Sequence, residues 1–105
     1  MRSGELKQRI ELQIPTRSQS SGEWIDTYTT QATIWAAIEP LSGNRLFLAQ
    51  QANSQVQGVV RIRFRKEVTP KMRLKFGDRI FQIVSIINRD ESNEELQLWY
   101  REIEQ

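Results

Sequence analysis

The sequence predicts a mainly β protein, a small antiparallel β-barrel of about six strands with one short helix. Apolar residues alternate along most of the chain, which is the period of a strand with one face on a core. Turn-forming clusters built on Pro, Gly, Asn and Ser separate these stretches at short intervals. Only Arg45–Ala52 reads as helical. A chain of 105 residues makes one domain, residues 1–105.

Lys7 to Ile14 is the first strand. Leu6, Ile10, Leu12 and Ile14 share one parity, with Arg9, Glu11 and Gln13 outside, and Pro15 ends it. Thr16 to Glu23 (TRSQSSGE) is a Ser-rich polar segment without a packing signal, predicted as a mobile loop. Trp24 to Thr33 resumes with β-formers and leads into a strand marked by Ile34, Ala36 and Ile38, so a long hairpin joins the first two strands. Pro40 cannot donate a ladder hydrogen bond and stops that strand. Ser42, Gly43 and Asn44 then supply turn and N-cap chemistry for the helix at Arg45–Ala52, which Asn53 and Ser54 close. Two turns without a clear apolar stripe would not be stable alone. Contacts within the fold or between subunits must hold them.

Val56, Gly58, Val60, Ile62 and Phe64 form the inward side of the next strand. Its outward side is Gln57, Val59, Arg61, Arg63 and Arg65, an arginine ladder stepping by roughly 6–7 Å. Thr69-Pro70 marks a turn. Met72, Leu74 and Phe76 alternate with Lys71, Arg73 and Lys75 before a tight Gly77-Asp78 turn. Arg79 to Ile87 is apolar at both parities, as in a strand covered on both faces. Asn88 to Asn93 is a polar turn, and Glu94 to Ile103 is the last strand.

There is no cysteine and no histidine. Disulfides and thiolate metal sites are excluded, and the commonest general base is missing. The carboxylate pairs Asp90-Glu91 and Glu94-Glu95 are adjacent, so their side chains point apart into solvent. No glycine pattern forms a phosphate cradle. The expectation is a protein that is not an enzyme and takes no cofactor or metal. No apolar run approaches the ~20 residues of a membrane span, and the N-terminus has no signal-peptide core. A product of the cytoplasm, or of a particle assembled there, is expected, with no membrane partner.

Net charge is +2 but unevenly placed. Residues 61–79 are basic and residues 90–104 acidic, a pattern suited either to packing of one copy on the next or to neutralisation between adjacent strands. Arg61, Arg63 and Arg65 could contact nucleic-acid phosphates, pair with acids, or be solvated; no exposed aromatic interleaves with them on their strand. Trp35 and Trp99 lie on the parity opposite their strands' inward residues. Either the sheet is covered there, or they are exposed anchors for a subunit or partner interface.

The order of these features resembles one family. Gly4 to Ile10 with its Arg-Ile pair, Gly-x-Trp at Gly22 to Trp24, and Trp-Ala with Pro-Leu-Ser-Gly at Trp35 to Gly43 come first. Arg61 to Arg63, Met72-Arg73 and the Gly-Asp-Arg-x-Phe-x-Ile stretch at Gly77 to Ile83 follow. Together they are similar to the head–tail joining (head-completion or stopper) proteins of tailed bacteriophages, over nearly the whole chain. The resemblance implies a structural barrel that assembles as a homo-oligomeric ring in the virion neck, built in the host cytoplasm. Such a ring lies beneath the portal and its adaptor, above tail-completion or tail-tube proteins, with packaged double-stranded DNA in its channel. It closes the filled head, retains DNA and docks the tail. A segment near the helix obstructs the channel in some members; here that maps to Leu41 through Gln55, with Leu41, Asn44, Gln50, Gln51 and Asn53 as candidate gating residues. The other reading is a monomeric nucleic-acid-binding barrel using the Arg61, Arg63 and Arg65 face.

Overall fold

The computed structural model describes residues 6–88 and 94–103. Gly4, the Asp90-Glu91 pair and all of the expected turn over residues 88–93 except Asn88 lie outside them. The elements are β1 (Gln8–Ser20), β2 (Glu23–Pro40), α1 (Gly43–Ala52), β3 (Gly58–Arg63), β4 (Arg73–Phe76), β5 (Arg79–Asn88) and β6 (Glu95–Ile103). All paired strands are antiparallel, and they close into one barrel in the order β1-β2-β3-β6-β5-β4. The mainly β fold with one helix is thus as the alternation predicts.

The inward residues of every strand meet in a single core. Ile10 and Leu12 of β1, Val60 and Ile62 of β3, and Leu74, Phe81 and Leu98 of the remaining strands are fully enclosed. The Tyr100 ring packs on Phe81 with centroids 4.4 Å apart. Opposite Tyr100 on β3 stands Gly58. A Cβ there would lie 2.5 Å from the Tyr100 hydroxyl, so the close approach of ring to backbone requires glycine. The two-sided apolar pattern of β5 has a local cause. A register shift between Ile83 and Ser85 lets Ile83 and Ile86, three residues apart, both pack on the core. Val84 falls on the outer side, against the helix.

The loop expected over Thr16–Glu23 is corrected by the structure. β1 runs through Pro15 to Ser20, and the reversal is a two-residue turn at Ser21 (φ 52) and Gly22 (φ 82). Positive φ at both positions is the type I′ geometry whose twist suits a hairpin, and glycine takes it freely. Pro15 sits opposite Tyr28. No third strand borders it, because β4 reaches only Glu11–Gln13 of β1 and β3 only Ala36–Pro40 of β2. The missing N–H is therefore tolerated at that edge.

Beyond Ile14, which still packs on the core, β1 and β2 continue as a two-stranded arm that no third strand borders. Its cross-strand contacts are polar. Thr27 Oγ1 donates to the Thr16 carbonyl at 3.1 Å, and Arg17 pairs with Asp26 at 3.2 Å. From Pro15 on, and over residues 23–31 opposite, every described side chain is exposed, so the ribbon has no apolar alternation to announce it. The molecule measures 46 × 29 × 26 Å, in keeping with a barrel extended at one end. The helix begins at Gly43, two residues before the expected Arg45, and ends at Ala52 as expected.

Candidate functional site

Residues 41–55 lie against the outer wall of the barrel. Leu41, Val56 and Val59 are buried there, with Leu46, Ala49, Val84 and Trp99 packed against them. Trp99 is therefore covered by the helix and its flanks, which explains its parity. Both ends of the segment are tied to the sheet. Leu41 N–H donates to the Gln57 carbonyl at 3.1 Å, and Gln57 N–H to the Tyr100 carbonyl at 2.8 Å.

Between those ties the helix is lightly held. None of its residues is fully buried, and Ser42, at the N-cap position, makes no side-chain cap bond. Phe47 and Leu48 are exposed at 60% and 55%. An open groove of about 420 Å³ separates helix from wall, lined by Leu41, Leu48, Ala49, Val56, Ile87 and Trp99 among others. The Trp99 Nε1–H is buried and meets no acceptor, an arrangement that costs about 1–3 kcal/mol.

The expected gating residues divide. Leu41 is buried as the anchor between helix and wall. Gln50 donates to the Val56 carbonyl at 3.0 Å, and Asn53 Oδ1 accepts from Gln55 N–H at 3.0 Å. Asn44 and Gln51 face solvent.

The arginine ladder is not assembled as expected. Arg61 lies 2.7 Å from Glu39 and 3.5 Å from Glu95. β3 ends at Arg63, which is exposed. Arg65 lies beyond the strand and pairs with Glu67 at 2.6 Å. The carboxyl of Glu67 is held below its ordinary range by a backbone hydrogen bond and by Arg65. The Arg61–Glu95 contact, and Arg79 with Glu102 at 2.8 Å, join basic strands to the acidic β6, so part of the charge segregation is neutralised within one copy.

A second surface was read in the sequence only through Trp35. Trp35 is half exposed, with the Arg9 guanidinium 4.8 Å from its ring centre. Along the same strand Arg73 lies 3.7 Å over Tyr28, and Arg17 lies 5.8 Å from the Trp24 ring. Arg73 also donates to Gln13 at 2.9 Å. A bulge in the β1–β2 register beside Gln13 skips Gln31. It brings Trp24 and Tyr28 onto the face that carries Trp35, although their parities differ. Three ring–guanidinium stacks on one ribbon face combine the residue types that dominate protein interfaces. The sequence signal was the Trp-x-x-x-Tyr spacing, but the bulge that aligns it with Trp35 has no Gly or Pro to mark it.

A closed barrel with one projecting arm, one lightly held helix and exposed aromatics has the surface features of an assembly module. The sequence matches the phage head completion protein family over residues 1–103, and the chain belongs to that family. It is accordingly a structural component of the phage head and of the virion. The fold is similar to the solution structure of protein SF1141 from Shigella flexneri 2a, with a TM-score of 0.74 at 23% identity, covering 97% of this chain and 96% of that one. It is also similar to a chain in the virion of a native gene transfer agent particle, with a TM-score of 0.63 at 17% identity, covering 93% of this chain and 96% of that one. No curated protein is matched by the sequence.

Proposed function

We propose that this head completion protein acts in the neck as a homo-oligomeric ring beneath the portal and its adaptor. The ring closes the DNA-filled head, retains the packaged double-stranded DNA and presents the docking surface for tail-completion or tail-tube proteins. Residues 41–55 are its gate, with Asn44, Gln50, Gln51 and Asn53 as the polar residues that obstruct DNA without gripping it. Trp35, stacked on Arg9, is a contact for a subunit or partner. Trp99 lies beneath the gate rather than at a partner.

The observation that carries this reading is the way residues 41–55 are held. They are tied at both ends, have no fully buried helical residue, expose Phe47 and Leu48, and leave the Trp99 N–H without an acceptor. Such a segment can exchange between arrangements without unfolding the barrel. Replacing Asn44–Asn53 with a short Gly-Ser link should leave the barrel folded and give assembled heads that lose DNA. Retention at the normal level in such particles excludes the gate. Use of Arg61 and Arg65 as a nucleic-acid face is disfavoured by their ion pairs with Glu39, Glu95 and Glu67.

A further inference from the structure

We infer that the β1–β2 arm of one copy seats Trp24 in the groove between α1 and the β5–β6 wall of the next copy. The inference rests on the ring reading and names its subunit contact.

The two features are exposed and complementary. Trp24 is 63% and Ile25 43% exposed, next to the Ser21-Gly22 turn at the arm's tip. The groove is lined mainly by apolar side chains, and its rim exposes Leu48 and Ile87. Its volume of about 420 Å³ admits an indole ring with room for part of a second side chain. A protruding aromatic set into a desolvated pocket is the usual form of an interface anchor.

Placement decides which copy supplies the arm. β2 starts at Glu23 beside the turn and ends at Pro40, three residues before α1. The tip and the groove therefore sit at opposite ends of an eighteen-residue strand, in a molecule 46 Å long. No chain can fill its own groove. A tip-to-groove contact is heterologous, and a heterologous contact repeated with a closing rotation makes a ring.

Charge agrees with this docking. Glu23 flanks Trp24 on the tip, and Arg45 lines the groove. Among the described residues neither makes an ion pair within the chain. Docking brings these opposite charges together at the rim, where they set register more than affinity. The Arg17–Trp24 and Arg73–Tyr28 stacks hold the ribbon face in shape before the partner arrives.

The chain has no cysteine, so the contact can be read directly. Glu23→Cys and Arg45→Cys are placed in one chain, and assembled particles are oxidised. A ladder of disulfide-linked multimers is expected on a denaturing gel, absent from either single variant. Ile25→Cys with Leu48→Cys reads the same contact if the first variant is not incorporated. The same particles are treated with an amine-reactive cross-linker as a reference. Multimers with that reagent but no ladder from either cysteine pair overturn the tip-to-groove contact and leave the ring standing. Monomer alone with the amine reagent removes the ring, and this contact with it. Trp24→Ala should weaken association at least tenfold if the indole is the anchor; unchanged association overturns that role.

Discussion

Gly58 and Tyr100 show how one missing atom positions a whole strand. With no Cβ at residue 58, the Tyr100 ring lies against the β3 backbone and on Phe81. Gly58→Ala places a methyl group 2.5 Å from the Tyr100 hydroxyl, and the expected loss is about 1–3 kcal/mol of folding stability. Urea denaturation checks this. The losses from Gly58→Ala and Tyr100→Ala should be far from additive, because removing the ring removes the clash.

Burial also raises the Tyr100 hydroxyl above the ordinary phenol range, with Glu102 adding to the shift and Arg79 opposing it. The folded chain then keeps a proton that the unfolded chain releases. The resulting stability is intact below the unfolded value near pH ~10 and is lost as pH rises through the folded value. The thermal midpoint should fall more steeply above that pH in the wild type than in Tyr100→Phe. Parallel curves for the two proteins count against a raised Tyr100.

Strands with one face on the core were legible in the sequence because burial imposes a period of two. The inward residues of β3, β4 and β6 follow it, and the barrel could be read from them. The arm was legible only on its β2 side, where Trp24 to Thr33 carry β-formers; its β1 side was not. Its residues from Pro15 to Ser20 are exposed wherever the side chain is described, so the pattern there records only solvent, and Ser and Thr looked like loop. The bulges beside Gln13 and Ile83 were equally silent, and the first of them hid the common face of Trp24, Tyr28 and Trp35.

The helix lay where Ser42, Gly43 and Asn53 placed it, and its need for outside support followed from its length. That Leu41 is an anchor and Trp99 is covered depends on where the helix lands on the wall, which spacing cannot give. The amides of α1 should exchange with deuterium well before those of β3 and β6, since opening the helix exposes a small apolar area while opening those strands breaks the barrel. Equal protection across all three would place α1 within the cooperative unit and argue against a separately moving gate.

The whole molecule joins a closed barrel to two elements that stand outside its core, the arm and the helix. Sheet closure leaves the barrel wall without a free edge, while the arm and the helix extend from opposite ends of β2. Membership of the head completion family was readable from the order of short motifs across nearly the whole chain, although each motif alone says little. The ladder of Arg61, Arg63 and Arg65 was a pattern of the sequence that the fold takes apart, by ending β3 at Arg63 and by supplying Glu39, Glu95 and Glu67 as partners.

The proline within the arm carries one more consequence. A bare two-stranded ribbon offers backbone donors and acceptors along its sides, the template on which proteins aggregate by adding strand to strand. A virion protein with such a ribbon is open to this hazard in the free chain. Pro15 gives an incoming strand no N–H, and Arg17, Asp26 and Glu23 would set charges against a like neighbour in register. The arm can therefore keep its aromatics exposed while its backbone edge stays closed to another strand.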